Sequence, residues 1–362
     1  MEPLKEMFNK VYYLSLAKEI KSILKNFNDK GFLSDVLKGI ENRELNARLR
    51  HTTVTLNKYL PNNYKESVSV LKQVAPKFKN GYTNLIFPDY VGLYGLNDFN
   101  LSLEALSYFT QFGSSEFAIR VFLKKDFQAT LKVMKSWAKN QNTHVRRLAS
   151  EGCRPRLPWS FKLDEVIKNP HLTLPILEIL KEDDELYVKK SVANHINDYS
   201  KENPELVLQI LKEWKSDNIN TNWILKHGAR TLLKQGNQKA LQHFGVKENK
   251  LIKVSLFNLK NNQIKIGNNL EFSFQLVNNS LKPTNIRIEY AIYFKISNNK
   301  HNKKVFKISE RKINSNEKLF FNKKHSFKPL STRRYYEGQH FIVLIVNGKE
   351  FDKQKFNCIF IN

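Results

Sequence analysis

The stretch from His144 to Trp159 combines side-chain types that could bind and act on a charged ligand. Its sequence, HVRRLASEGCRPRLPW, contains four arginines, one glutamate, two prolines and a tryptophan. Guanidinium groups bind phosphates and carboxylates, whereas an aromatic ring attracts a cation. The rest of the chain is therefore considered as the framework that positions this stretch.

The first half of the stretch is predicted to be the end of a helix. Val145 and Leu148 fall at helical spacing, and Gly152 is a typical residue just past a helix C-terminus. The two prolines that follow cannot continue a helix, because each fixes its own φ and favours extended geometry in the residue before it. We therefore expect a stiff, cationic loop after Gly152.

Glu151 falls in the last turn of this predicted helix, where the partial negative charge of the helix end disfavours a carboxylate. Arg147, four residues earlier, shares its helix face, and Arg154 follows three residues later. One interpretation is a structural ion network of these three residues. The other is that Glu151 is a carboxylate held beside a cationic ligand.

A second glutamate, Glu116, follows a Gly-Ser-Ser turn in the segment FGSSEFAIR. A serine N-cap with a glutamate in the first helical turn is ordinary capping, and Arg120 would lie one turn further on. If this helix and the one before Gly152 are neighbours, Glu116 and Glu151 reach the same surface. Two carboxylates repel a phosphate backbone, so their presence would indicate a ligand that also has a positive charge.

Residues 1–249 show helical periodicity with short breaks at prolines such as Pro76, Pro88, Pro170 and Pro204. We predict helices of roughly 12 to 20 residues, paired in an all-α solenoid of the HEAT or armadillo kind. Basic residues that close successive pairs, among them Arg230, would line one concave face.

From about Lys250 the apolar residues alternate instead, as in the segments 270–276 and 286–294. About seven or eight strands fit into residues 250–362, which predicts an immunoglobulin-like β-sandwich. This second domain contains 22 Lys+Arg and 7 Asp+Glu, a formal charge of 22 − 7 = +15 out of +26 for the whole chain. Such an excess indicates a polyanionic partner.

Composition limits the class of protein further. The chain has no run of about 18 apolar residues and no signal-peptide pattern at its start, so we predict a cytoplasmic protein without a membrane partner. Its two cysteines are far apart, which excludes a disulfide framework and a zinc site of paired cysteines. Phosphate-binding loops, dinucleotide fingerprints and nucleophile elbows do not occur, so we predict neither a metal nor a cofactor.

Four segments resemble the AlkC/AlkD superfamily of DNA alkylation-repair glycosylases. HVRRLASEGCRPRLPW and SSEFAIR are similar to the AlkC branch itself, and SVANHINDYSKENPELV with HGARTLLKQG is similar to the HEAT-like repeats of the wider superfamily. The match covers most of residues 1–245. Many AlkC-type proteins also have an appended immunoglobulin-like domain, which agrees with the alternation after Lys250.

The resemblance implies a monofunctional glycosylase that acts as a monomer in base excision repair on alkylated duplex DNA. It would release cationic methylated bases, 3-methyladenine and in this branch 3-methylcytosine, without a deep base-flipping pocket. Two residues depart from the family pattern: Cys153 stands where Ser or Thr is common, and Val121 stands where Pro is expected. Neither change removes a charge. The resulting assignment gives catalysis to Glu116 and Glu151, and DNA binding to Arg147, Arg154, Arg156, Trp159, Arg120 and Arg230.

The competing hypothesis is a HEAT-type scaffold that binds nucleic acid or protein without catalysis. The repeats and the positive charge suffice for it, and Glu116 and Glu151 would then be capping and ion-pair residues. It predicts a DNA affinity that lesions do not change.

Overall fold

The computed structural model describes residues 3–79, 81–298, 300–329 and 333–360. In these ranges sixteen α-helices are followed by eight β-strands, which confirms the predicted order of an all-α part and an all-β part. No helix in these ranges is both long and apolar enough to cross a membrane.

The helices begin at polar residues and are mostly short. Asn or Asp side chains accept a hydrogen bond from the first turn at several helix starts, as is usual for N-caps. The α-helices are α1 Lys10–Ile23, α2 Asp29–Leu37, α3 Leu45–Tyr59, α4 Tyr64–Val74, α5 Ile86–Tyr94, α6 Phe99–Phe109, α7 Ile119–Lys125, α8 Phe127–Trp137, α9 Thr143–Glu151, α10 Asp164–Lys168, α11 Leu174–Leu180, α12 Leu186–Tyr199, α13 Pro204–Glu213, α14 Ile219–Gly228, α15 Arg230–Lys234 and α16 Gln238–His243.

Most of these helices are shorter than the predicted 12 to 20 residues, because turns and 3₁₀ segments divide the apolar stripes. Pro88 was wrongly predicted to break a helix. It is the third residue of α5, where the missing N–H would have had no partner within the helix. Pro204 begins α13, and Pro170 begins a short 3₁₀ turn.

Helix α9 ends at Glu151, as predicted, and is in contact with both α8 and α12. Gly152 follows it with a φ of −62°, so the glycine is not needed for a left-handed conformation. A Cβ at this position would lie 2.5 Å from the Ile119 side chain of α7. Close packing of the helix end against α7 therefore explains this glycine.

The strands form a sandwich of two sheets. Their bounds are β1 Ile252–Leu259, β2 Gln263–Lys265, β3 Asn269–Asn278, β4 Thr284–Lys295, β5 His301–Ile313, β6 Lys318–Ser326, β7 Gly338–Val346 and β8 Lys349–Ile359. One sheet has the order β1-β3-β6 and the other β2-β8-β7-β4-β5. Alternate residues of β3, from Leu270 to Leu276, are buried between the sheets, as the pattern predicted.

Contacts divide the chain into two compact units. Residues 1–203 and 215–228 form the first, and residues 204–214 and 229–362 form the second. Helices α13, α15 and α16 therefore belong with the sandwich. The predicted division at residue 249 follows the change of secondary structure, and we keep it as a proposal for the domains.

The turn between β7 and β8 requires a glycine, which gives a test of the fold. Asn347 and Gly348 both have positive φ, 52° and 81°, as in a tight two-residue hairpin. A Cβ on Gly348 would lie 2.8 Å from Leu241 of α16 and 3.0 Å from the Cα of Gly236. We expect Gly348→Ala to lower the free energy of unfolding by about 2 kcal/mol in urea denaturation.

Gly245→Ala is the matched control. Its φ is 74°, but its Cβ would meet only the end of the flexible Asn285 side chain, at 3.3 Å. It should therefore cost less than Gly348→Ala. Equal losses would show that packing at the hairpin contributes nothing.

Candidate active site

The two predicted catalytic glutamates lie together, on opposite sides of one arginine. Arg147 forms ion pairs with Oε2 of Glu116 and, at 3.4 Å, with Oε1 of Glu151. Arg154 pairs with the same Oε1 of Glu151 at 2.7 Å and with Asp198. We call these five residues the arginine–carboxylate network. Each of its two guanidinium groups is shared between two carboxylates.

Glu151 is the central carboxylate of the network and is almost fully buried, with 5% of its surface exposed. Its Oε2 accepts a hydrogen bond from Ser191 Oγ of α12 at 2.6 Å. Arg147 and Arg154 thus compensate the carboxylate at the negative end of α9, as the structural interpretation predicted. That pairing also keeps a charged carboxylate in a place from which solvent is nearly excluded.

Glu116 lies in the turn before α7, three residues ahead of the first helical residue, Ile119. The expectation that it caps the first turn of this helix is therefore wrong. Its Oε2 instead accepts a hydrogen bond from Ser114 Oγ at 2.9 Å, and that hydroxyl accepts one from Arg147 Nη1 at 2.7 Å. The Glu116 side chain is 16% exposed, the largest exposed fraction in the network.

Arg154 joins the end of α9 to α12. Its Nε and Nη2 atoms donate to both carboxylate oxygens of Asp198, at 2.8 and 3.2 Å. Burial opposes the charge of Arg154, but these hydrogen bonds and the charges of Glu151 and Asp198 outweigh burial and raise its pKa. The guanidinium is therefore held in one position by two carboxylates.

Two exposed aromatic rings, Trp159 and Tyr187, are candidates for contact with a ligand. Trp159 lies in the loop after α9, and Tyr187 contacts the arginine–carboxylate network. Trp159 is 75% exposed, and its backbone has a φ of 63°. Tyr187, in the first turn of α12, covers Arg147, with the guanidinium carbon 4.8 Å from the ring centroid. Both rings keep exposed surface, which a planar group could contact.

The arginines that were predicted to bind DNA have different surroundings. Arg156 is partly exposed, with 24% of its side chain in contact with solvent, and forms an ion pair with Glu202. Arg230 is the first residue of α15 in the second compact unit. The roles of these two arginines in DNA binding, and those of Arg147, Arg154 and Trp159, stay predictions.

Arg120 was wrongly predicted to contact DNA. Its side chain is fully buried, and its guanidinium donates to the backbone carbonyls of Gly152, Arg154 and Phe161. Burial lowers the pKa of Arg120 to about 10. A guanidinium without exposed surface cannot reach a phosphate.

Sequence reasoning missed the residues that α12 contributes. Tyr187, Ser191, His195 and Asp198 follow one another at spacings of four, four and three residues, which places them on one helix face. Asp198 belongs to the network, Tyr187 and Ser191 contact it, and His195 contacts the backbone of α9 at Ser150. A polar stripe of this kind in an otherwise buried helix was the available signal.

His195 of α12 forms a hydrogen bond with the last turn of α9. Its Nδ1 lies 3.0 Å from the carbonyl oxygen of Ser150, so this nitrogen is the protonated one, and its Nε2 lies 3.2 Å from Thr173 Oγ1. Burial and, after it, the charge of Arg154 lower the pKa of His195 to about 3. The imidazole is therefore a neutral structural link.

Cys153 is the residue where a Ser or Thr was expected. It is fully buried, and its thiol donates to the carbonyl oxygen of Ala149 at 3.1 Å. Burial raises the pKa of Cys153 to about 12. The thiol thus makes the contact a hydroxyl would make and stays protonated.

Comparison with known proteins finds relatives of both parts of the chain. A family model described as a DNA alkylation repair enzyme matches residues 107–232. A second, described as the C-terminal Ig-like domain of the uncharacterised protein YhaZ, matches residues 253–359. The chain is 41% identical to the uncharacterized protein YhaZ of Bacillus subtilis over 357 residues, which is 98% of this chain and 99% of that protein.

A helical domain followed by an Ig-like sandwich defines the class, and the chain belongs to the AlkC-type family of DNA alkylation repair enzymes. Among solved structures it is similar to the Pseudomonas fluorescens alkylpurine DNA glycosylase AlkC bound to DNA that contains an abasic site analog. That similarity has a TM-score of 0.96 and 38% identity, and it covers 99% of this chain and 100% of that one.

The buried His195 predicts a pH dependence of stability. Its pKa of about 3 in the folded chain lies below the value of about 6.5 for an unfolded histidine. Below pH 6.5 the unfolded chain therefore binds a proton that the folded chain does not, and stability falls as the pH falls towards 3. We expect this group to contribute a loss on the order of 1 kcal/mol per pH unit.

His195→Asn should flatten this dependence, because the amide can still donate to the Ser150 carbonyl but does not titrate. The free energy of unfolding would be measured in urea between pH 7.5 and 5. The exposed His171, changed to Asn, is the control and should keep the wild-type slope. An unchanged slope in His195→Asn would contradict the assignment.

Proposed function

We propose that the chain is a monofunctional DNA glycosylase that hydrolyses the N-glycosidic bond of cationic methylated bases in duplex DNA. The substrates we propose are 3-methyladenine and 3-methylcytosine. The observation that supports this function most directly is the pairing of Glu116 and Glu151 across Arg147. Family membership and the similarity to the AlkC glycosylase support it further.

The chemistry of such substrates suits a site made of carboxylates. A 3-methylated base has a positive charge and is already a good leaving group, so little general-acid catalysis is needed. The sugar acquires positive charge as the bond breaks, and a carboxylate stabilises that oxocarbenium-like state. A carboxylate can also orient the water that attacks the sugar. The proposed role of both glutamates is therefore electrostatic stabilisation and positioning of water.

Different surroundings suggest different parts for the two glutamates. The two described contacts of the Glu116 carboxylate both fall on Oε2, and its side chain is the more exposed of the pair. We therefore propose that Glu116 is the group that approaches water and the sugar. Glu151, which has donors on both oxygens, would supply fixed negative charge from beneath.

Trp159 is the proposed aromatic contact of the damaged strand. Its exposed ring can stack on a base, and attraction between a cation and the ring, worth about 0.5 to 2 kcal/mol, would favour a methylated base over a neutral one. Without the buried Arg120, the proposed DNA-binding arginines are Arg147, Arg154, Arg156 and Arg230.

Release of free bases from methylated duplex DNA tests the catalytic proposal. We expect Glu116→Gln and Glu151→Gln each to lower the single-turnover rate roughly a hundredfold or more, the usual effect of removing one preorganised electrostatic group. Each glutamine keeps the shape of the side chain and can still hydrogen-bond to its serine neighbour. Urea denaturation of each variant would separate lost activity from lost stability.

Glu104→Gln is the matched control, because Glu104 is an exposed glutamate of the same unit that pairs with Lys72 away from the network. It should release bases at the wild-type rate. Release by the wild type that does not exceed release by Glu151→Gln would overturn the proposal in favour of a non-catalytic scaffold.

The basic sandwich generates a second prediction, that its lysines contact DNA phosphates. The slope of log K against log salt is negative, and each phosphate contact that is lost reduces its magnitude by about 0.9. Lys323 and Lys324 are exposed on β6, and Lys303 and Lys304 are exposed on β5 of the other sheet. Changing each pair to Gln in separate variants should reduce the slope in at least one of them, by up to about 2. Two unchanged slopes would show that neither edge strand binds DNA.

A further inference from the structure

Arg120 occupies an unusual place for a charged side chain. It is the second residue of α7 and is fully buried. Burying a cation is costly unless its donors are satisfied, and the partners of this guanidinium are backbone carbonyls. An apolar side chain would fill the same volume without that cost. The function of the buried charge is therefore to be found in these three carbonyls.

These carbonyls belong to the two ends of the loop after α9. Nη1 donates to the carbonyl oxygens of Gly152 at 3.0 Å and of Arg154 at 2.7 Å, where the loop begins. Nη2 donates to the carbonyl oxygen of Phe161, where the loop ends. The guanidinium also lies over the Phe161 ring, 5.3 Å from its centroid. One side chain thus holds both ends of the loop together.

The loop that is held in this way contains a strained residue. Trp159 has a φ of 63°, a left-handed conformation that is rare for a bulky side chain and costs on the order of 1 to 3 kcal/mol. Such a conformation persists only where the surroundings fix it. Leu157 is buried, and the N–H of Leu163 donates to the carbonyl oxygen of Pro155 at 3.1 Å, so the loop is also closed at its base.

We propose that Arg120 is a positioning residue that holds the 152–161 loop and so keeps the Trp159 ring presented to solvent. It acts through Trp159 and does not touch DNA. Its effect on base release rests on the proposed glycosylase function. Its effect on the exposure of Trp159 does not, so the two proposals can fail separately.

Arg120→Lys is the first test variant, because lysine keeps the charge but cannot donate to three separate carbonyls in the same geometry. Acrylamide quenching of tryptophan fluorescence reports the exposure of Trp159. Subtracting the signal of the matching Trp159→Phe protein removes the contribution of the other three tryptophans. We expect the quenching constant of Trp159 to change in Arg120→Lys and to stay unchanged in Lys125→Gln. Lys125 is a cation of the same helix that donates to the Leu96 carbonyl instead.

A double-mutant cycle on base release tests the link to function. We expect Arg120→Lys to lower the single-turnover rate roughly tenfold in the wild-type background, and less than about twofold when Trp159 is already Ala. Multiplicative effects of the two substitutions, or an unchanged quenching constant, would overturn the positioning role. If Arg120→Lys does not fold, Phe161→Leu replaces it, because it keeps the backbone carbonyl but removes the ring beneath the guanidinium. It should likewise change the quenching constant of Trp159 and lower the single-turnover rate.

A change in quenching without any base release by the wild type would leave the positioning role intact and overturn the proposed activity. Base release by the wild type with an unchanged quenching constant would support the proposed activity and overturn the positioning role.

Discussion

The structure of the site depends on the sharing of two guanidinium groups among two buried carboxylates, Glu151 and Asp198, and the partly exposed carboxylate of Glu116. A buried charge is stable only while its partners are present, and removal of one partner leaves the others uncompensated. The turn before α7, the end of α9 and one face of α12 each contribute charges to this arrangement. Their relative positions are therefore constrained by electrostatics as well as by apolar packing. The one carboxylate with appreciable exposure, Glu116, lies at the end of the series, where a cationic ligand could complete it.

Local contacts of the site were predictable from the sequence, and distant ones were not. Arg147 could be assigned to Glu151 because a spacing of four residues brings side chains together on a helix, and Arg154 because it follows Glu151 by only three residues. Ser191 and Asp198 are more than 35 residues from α9, and no spacing rule reaches that far. Arg120 was misplaced for a related reason. A charged residue in an amphipathic helix is expected to face solvent. Arg120 is buried instead because it donates to the carbonyl oxygens of a distant loop, whose path the sequence does not reveal.

The fold was predictable where periodicity was regular. The change from helical to alternating patterns placed the sandwich correctly after the helices, and alternate residues of β3 are buried as expected. In β4 the expectation of a half-buried strand was wrong, because every residue from Ile286 to Ile292 is buried. Strand β6 was not recognised, because it is an edge strand in which lysines interrupt a half-buried apolar face. Helix lengths were overestimated, since an apolar stripe can continue across a turn. The assignment of α13, α15 and α16 to the unit of the sandwich depends on tertiary contacts that composition does not reveal.

The two cysteines of the chain have a consequence for an enzyme of this family. Reagents that methylate DNA bases also attack thiolates, and a thiolate is far more reactive than a thiol. Cys153 and Cys358 are both fully buried and free, and burial raises the pKa of each to about 12. At neutral pH both are protonated and shielded from solvent. The chain thus offers no accessible cysteine thiolate to the electrophiles that create alkylated DNA.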